Sequence, residues 1–252
     1  MALRDGWTTR IAQGLRLDAL LTAGAALPAA APPVRAVDLD LLPEGWLATA
    51  RASCEGRLKN AAHRGLDLAG ALALLVFTLP VLLLAALAIK LDSPGPVFYR
   101  QERVGRGGKA FMLFKLRSMT ADAEAGGAPQ WARKQDPRVT RVGRFLRLTR
   151  IDEVPQVLNV LRGDMALVGP RPERPAFVEQ LGLAIPHYHD RACVRPGITG
   201  WAQVNHPYGA SVEDARAKLT YDLHYVQHRG LRLDLLILAA TVRVVLRGEG
   251  AR

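Results

Sequence analysis

The chain has 252 residues, 49% of them hydrophobic, and 34 Lys+Arg against 23 Asp+Glu give it a net charge of +11. That balance excludes a disordered polar tail and leaves ample length for a buried core, as one large domain or one domain with an appendage. Two cysteines, Cys54 and Cys193, far apart and outside any CxxC, exclude a disulfide scaffold and a Cys-rich zinc module and point to a reducing compartment.

Residues 1–60 differ in texture from the rest. The Ala/Pro run Leu27–Pro33 and the segment Asp38–Leu42 read as a linker or adaptor around weak helices, a variable appendage without chemistry of its own. The next segment is of another kind. Leu68–Ile89 has no ionisable residue in 22 positions, long enough at about 1.5 Å per residue to cross a hydrocarbon layer of ~30 Å. Near its middle lies Pro80, which removes a backbone donor and clashes with the preceding turn. The helix is expected to break there, freeing carbonyls around Val76 and Phe77 for other side chains or for Thr78. An ordinary kinked transmembrane helix is the common outcome of such a pattern. Here, however, basic residues flank both ends: Arg51, Arg57, Lys59 and Arg64 before, and Lys90, Arg100, Arg103 and Arg106 after. The positive-inside rule keeps both ends in the cytoplasm, which a re-entrant hairpin over residues 61–92 satisfies and a single span does not.

Beyond Lys90 the pattern is that of a soluble domain, residues 93–252. Ser93-Pro94-Gly95-Pro96 is a turn, Val97–Tyr99 a short strand, Gly105–Gly108 a second turn and Ala110–Leu116 a second strand or buried edge. Thr120–Ala125, Ile151–Leu161, Ala176–Leu183 and Val212–Gln227 read as helices, the last with Leu219, Leu223 and Val226 on one side. Leu231–Leu246 places Leu233, Leu236, Ile237, Ala240 and Val244 at helical spacing, fit either for the core or for a membrane surface.

The basic excess is concentrated. Arg100–Arg150 holds 13 Lys/Arg against 4 acids, a patch suited to phosphates of nucleic acid, anionic lipid or a nucleotide substrate, among which charge alone does not choose. Three constellations carry candidate chemistry. Asp152-Glu153 follows a ladder of Arg138, Arg141, Arg144, Arg147 and Arg150; adjacent acids at a helix start are usually caps, but adjacent acids beneath arginines ask for more. Arg171 sits between Pro170 and Pro172, so its guanidinium is presented from a fixed backbone, as an anion clamp requires and as a rigid surface loop also would. Arg195–Asn205 (RPGITGWAQVN) suits a sugar or base pocket and equally a buried tight turn. The six histidines form no HExxH pattern and read as structural or surface residues.

Taken in order, the proline-centred hydrophobic segment, Lys90–Met119 (KLDSPGPVFYRQERVGRGGKAFMLFKLRSM), Arg141–Glu173 (RVGRFLRLTRIDEVPQVLNVLRGDMALVGPRPE) and Val194–Asn205 (VRPGITGWAQVN) resemble the bacterial sugar transferases. These are monotopic polyprenyl-phosphate phosphoglycosyl transferases, which start exopolysaccharide, O-antigen and related glycan assembly. The resemblance covers about residues 61–248. Leu79 stands where many relatives have serine, KLRSM replaces the common KFRTM, and HPYGAS after Asn205 departs from the usual glycine-rich continuation.

The resemblance implies an α+β, mostly helical fold: a small cytoplasmic catalytic domain, anchored by a re-entrant helix-break-helix at Pro80 and by amphipathic interface helices, at the cytoplasmic face of the bacterial inner membrane. It implies transfer of a phosphosugar from a UDP-sugar to polyprenyl (undecaprenyl) phosphate, with release of UMP. Position by position it gives Asp152 as nucleophile and Mg²⁺ ligand, Glu153 as acid/base partner, and Arg147, Arg171 and Lys115 as substrate-binding residues. Mg²⁺ is the expected cofactor, and inner-membrane lipid, a second copy of the chain or polysaccharide-assembly proteins are the partners it leaves open. Nucleic acid is not expected, because no helix-turn-helix, zinc-finger or RNA-binding signature accompanies the charge. Two rivals stand beside this reading: a non-catalytic membrane-surface scaffold, and a lipid-acting glycosyl transferase, which would release UDP.

Overall fold

The computed structural model describes Leu39, Leu42, Trp46, residues 56–123, 136–206, Gly209 and residues 211–247. The Ala/Pro run and most of the expected appendage lie outside the described residues. Leu39 is buried with Phe177, Leu181, Ile185 and Tyr188, and Leu42 and Trp46 pack against the same cluster. A compact unit accordingly runs from Leu39 to Arg252.

Helix α1, Arg57–Asp92, is built from Leu and Ala with few β-branched residues, and it continues through Pro80. The expected break is therefore not a loss of helix. Thr78 does use its hydroxyl on a backbone carbonyl, that of Leu74 at 2.6 Å, and not on Val76 or Phe77. Both ends of α1 pack on the domain that follows. Near the first end, Asp67 accepts from Leu167 N at 2.8 Å. Arg64 there donates to the carbonyls of Val160 and Leu161. At the other end Ala85 and Ile89 join Leu116 and Leu146 in a small core. Arg117 closes the helix C-terminus by donating to the carbonyls of Ser93 and Pro94, placing a cation where the helix dipole is negative. Between these ends the side chains face outward, with Phe77 81% exposed and Val76 60%.

Strands β1 (Phe98–Val104) and β2 (Ala110–Leu116) form an antiparallel hairpin with Tyr99 opposite Lys115. Its turn places Gly107 and Gly108 at φ 66° and 79°, a left-handed backbone that glycine adopts without penalty. The stretch read as a helix from Thr120 is instead a turn at residues 121–123, and Glu124 and Ala125 lie outside the described residues. Helix α2 (Arg141–Leu148) is capped twice: Thr140 Oγ1 accepts from Gly143 N and Asp92 from Val142 N.

The helix expected from Ile151 begins as a 3₁₀ turn, Ile151–Gln156, and becomes α-helical only as α3, Val157–Arg162. Pro155 supplies the reason, since it lacks the N–H that an α-turn would use and it disfavours the α conformation at Val154. Short strands β3 (Ala166–Val168) and β4 (Gly197–Thr199) pair in parallel. A Cβ built on Gly197 would lie 2.1 Å from Gly169 N, so only glycine permits that approach. The crossover between them carries α4 (Pro175–Ala184) and a 3₁₀ turn, Tyr188–Cys193. Helices α5 (Trp201–Asn205), α6 (Val212–His228) and α7 (Leu231–Arg247) complete the order. The main core joins Ala71 of α1, Leu113 of β2, Val157 and Val160 of α3, Tyr225 and Val226 of α6 and Ile237 of α7. Helix α7 packs one side into the core and leaves apolar side chains exposed on the other. Ile237 and Asp234 are buried, whereas Leu235, Leu236, Val242 and Leu246 are exposed.

Candidate active site

The 3₁₀ turn presents two successive carboxylates, Asp152 and Glu153, and buries both, at 6% and 9% exposure. Their surroundings differ. Glu153 accepts from Lys115 Nζ at 2.9 Å and from Arg171, whose two nitrogens reach Oε1 and Oε2 at 2.5 and 3.2 Å. Burial alone would raise its pKa, but the charges and hydrogen bonds of Arg171 and Lys115 outweigh it, and Glu153 is held well below the usual carboxylate range. Asp152 makes no side-chain hydrogen bond among the described residues. Burial and the adjacent Glu153 charge push it up to about 6 against the opposing fields of Lys115, Arg147 and Arg171.

Each cation is placed by its own element. Lys115 stands on β2, and Asn159 on α3 fixes that strand edge: it is fully buried, accepts from Phe114 N at 3.1 Å and donates to Met112 O at 2.7 Å. Leaving those strand groups unpaired would cost about 1–3 kcal/mol each. Burial lowers the Lys115 pKa in spite of the Glu153 charge. Arg147, in the last turn of α2, donates to Ser118 Oγ at 2.8 Å. Arg171 leaves the loop after β3, which is held carbonyl by carbonyl: Arg191 donates to Arg171 O, Arg103 to Pro172 O and Val104 N to Glu173 O, each at 2.9 Å. Arg191 is itself locked by Asp222 at 2.6 Å and by the Tyr188 hydroxyl at 2.9 Å. Burial pushes Asp222 up to about 6 although Arg191 pulls the other way.

All five expected site residues, Asp152, Glu153, Arg147, Arg171 and Lys115, line one cavity of about 460 Å³. Among the described residues, ten basic side chains line it against four acids. Pro80 is not among its residues. Of the arginine ladder, Arg138, Arg147 and Arg150 reach the cavity, and Arg141 and Arg144 do not. Among the described residues no cluster of three His, Cys, Asp or Glu side chains is placed to cage a metal. Asp152, with its side chain unengaged, is the carboxylate chemically suited to share a hard divalent ion with phosphate oxygens; Glu153 is committed to cations.

The sequence model of the family described as Bacterial sugar transferase matches residues 58–248. The chain belongs to that family. Among relatives of this bacterial sugar transferase, an Aeromonas hydrophila protein named UDP-N-acetylgalactosamine-undecaprenyl-phosphate N-acetylgalactosaminephosphotransferase is 49% identical over 189 residues, 75% of this chain and 44% of its own. A Caulobacter vibrioides protein named UDP-glucose:undecaprenyl-phosphate glucose-1-phosphate transferase is 45% identical over 84% of this chain and 81% of its own. The Exopolysaccharide production protein PSS of Rhizobium leguminosarum is 42% identical over 74% and 96%. The chain thus spans less than half of the Aeromonas relative and most of the other two. The enzyme class expected from the motifs, a phosphoglycosyl transferase, is the class named for the first two.

Among the charged cavity residues, Arg191, Lys218 and Asp222 are not singled out by the sequence, and Arg103 enters there only as a flanking charge. One signal was available. Asp222 lies between Leu219 and Leu223 on the buried side of α6, and a carboxylate set into an apolar stripe requires a buried cation, here Arg191.

Proposed function

We propose that this bacterial sugar transferase moves a phosphosugar from a UDP-sugar to polyprenyl phosphate and releases UMP, at the cytoplasmic face of the bacterial inner membrane. The observation that carries the proposal is the asymmetry of the acidic pair: Glu153 is ion-paired twice, and its neighbour Asp152 has no side-chain hydrogen bond among the described residues and has its pKa pushed up to about 6, beside Arg147 and Arg171.

Asp152 attacks the β-phosphorus of the UDP-sugar, forming an acyl–phosphate bond as the bond to the UMP oxygen breaks. UMP departs with the bonding electron pair. The polyprenyl phosphate then attacks the same phosphorus, and Asp152 leaves as a carboxylate. Arg147, Arg171 and Lys115 hold the phosphate oxygens and offset the charge of two anions brought together. Once phosphate oxygens engage Arg171 and Lys115, Glu153 loses its partners, its proton affinity rises, and it accepts any proton remaining on the acceptor phosphate. Asp152 and substrate phosphate oxygens would hold Mg²⁺, which supplies further neutralisation of the diphosphate.

Membrane attachment follows the same reading. Leu75 packs against the main core and Leu82 against the core at the other end of α1, and between them Val76, Phe77 and Leu79 are exposed. Two ends tied to one body, with basic residues at both, support a re-entrant helix dipping into one leaflet. The test is product identification with a panel of UDP-sugars and undecaprenyl phosphate. UMP is expected, with activity lost in EDTA and restored by Mg²⁺. UDP as product would replace phosphoglycosyl transfer by sugar transfer, and full activity in EDTA would remove the metal.

A further inference from the structure

Outside the catalytic cavity, four arginines from four parts of the chain converge beside the entry of α1. Arg229, between α6 and α7, donates to Asn60 Oδ1 at 2.7 Å. Arg64 lies one turn further along the same helix, and its two nitrogens donate to Val160 O and Leu161 O at 2.6 and 2.9 Å. Arg106, on the hairpin turn, donates to Cys193 O at 3.2 Å, two residues before Arg195. The two pairs are brought together through β3. Asp67 bonds Leu167 N, and Ala166 N donates to Pro196 O, each at 2.8 Å.

None of these four arginines lines the catalytic cavity. The carboxylate that faces Arg195 is Asp67, which is buried and already engaged by Leu167 N. The Arg195 guanidinium itself has no hydrogen-bond acceptor among the described residues. Burial lowers its pKa, and Arg64, Arg106 and Arg229 lower it further against the pull of Asp67. Like charges gathered this way repel unless an anion sits among them. Arg64 also precedes the uncharged segment by four residues, about 6 Å of helix, which sets the cluster at headgroup depth if that segment is embedded.

We propose that Arg64, Arg106, Arg195 and Arg229 form a second anion site that holds the phosphate of an anionic phospholipid headgroup where α1 enters the bilayer. The site rests on the reading that Leu68–Ile89 lies in the membrane, and it is independent of the reaction in the cavity. It acts as a lock on the depth of α1, adding a fixed phosphate contact to the apolar attachment.

The full chain in neutral detergent is melted with dihexanoyl-phosphatidylglycerol, with dihexanoyl-phosphatidylcholine or with inorganic phosphate. The phosphatidylglycerol should raise Tm by about 2–4 °C, the shift that ~1 kcal/mol of binding gives a domain of this size. The other two should not. The double variant Arg106→Gln/Arg195→Gln should lose the shift while releasing UMP at a rate within about twofold of wild type, because neither residue touches the cavity; the exposed single variant Arg106→Gln serves where the double variant does not fold, and should lose part of the shift. An equal shift with inorganic phosphate would overturn the headgroup as the source, and an equal shift with phosphatidylcholine, no shift at all, or a shift that survives substitution would overturn the site. Flotation with pure phosphatidylcholine vesicles separates the two readings. Wild type that fails to float removes the embedded helix and the headgroup with it, whereas wild type that floats without the lipid-specific shift removes only the arginine site.

Discussion

The catalytic cavity and the middle of α1 are opposite answers to the question of what a side chain should face. In the cavity, ten cations and four acids meet from strands, turns and helices far apart in sequence, and Glu153 is held by Lys115 and Arg171 while Asp152 is spared. Around Pro80, neighbouring residues of a single helix leave Val76, Phe77, Leu79 and Val81 exposed among the described residues. The first region is specified by long-range pairing, the second by local composition. A substitution in the cavity should therefore act through one named partner, and a substitution in the helix through the equilibrium between two placements of the whole segment.

The largest expected effect tests the cavity side. Asp152→Asn keeps the shape and removes the proposed nucleophile, so UMP release should fall at least ~10³-fold, the loss typical of removing a covalent catalytic group. A labelled phosphosugar should no longer be trapped on the protein. Near-normal turnover would end covalent catalysis by Asp152, and an unchanged circular dichroism melt would show that the loss is chemical.

On the helix side, Pro80→Leu restores a backbone donor and removes the ring clash, favouring a straight helix by up to about 3 kcal/mol. The contacts at both ends of α1, Asp67 with Leu167 N and Asp92 with Val142 N, resist displacement. Cysteines at Asn60 and Ser93, in a background lacking Cys54 and Cys193, should both be labelled only from the cytoplasm in the wild-type helix. The Leu variant should give a mixed population. Periplasmic labelling of one end without the substitution would mean that the segment spans.

A smaller effect is expected at the rim of the acidic pair. Arg171→Lys retains the charge but loses the fork that engages both oxygens of Glu153, a difference of about 1.5–3 kcal/mol for charge-assisted bonds. KM for the UDP-sugar should rise roughly 10- to 100-fold. A KM that stays put, with kcat reduced, would make Arg171 a residue of the chemical step and not of binding.

The same contrast explains what the sequence disclosed. Hydropathy found α1, and alternation with glycine turns found β2 to the residue, because both signals are local. Asp152, Glu153, Arg147, Arg171 and Lys115 are singled out by ordered motifs, and the fold brings them to one cavity, although nothing in their spacing shows that they converge. The misplaced helix at Thr120 was a local misreading of a turn. The 3₁₀ form of Ile151–Gln156 follows from Pro155, a signal that helical spacing of apolar residues does not carry. Arg191 and Arg103 were out of reach for a different reason: each matters for the carbonyl it holds in the Arg171 loop, and a carbonyl leaves no mark in the sequence.

The last and smallest effect concerns proton affinity within the acidic pair. In the proposed reaction Asp152 must be ionised to attack, and its pKa is raised to about 6, first by burial and then by the Glu153 charge. Formation of the labelled enzyme in a single turnover should therefore increase as pH rises through about 6 and level off above 7. Glu153 adds no inflection in that window before substrate binds, since Arg171 and Lys115 hold it well below the usual range. Arg147 is one of the cations that pull the Asp152 value down. Removing its charge in Arg147→Gln should move the inflection to the alkaline side of its wild-type position, whatever happens to the rate at the plateau. Binding loss alone would lower the whole curve without moving it. An inflection that stays in place would mean that the titrating group is not Asp152, and the difference drawn between the two neighbouring carboxylates would lose its functional meaning.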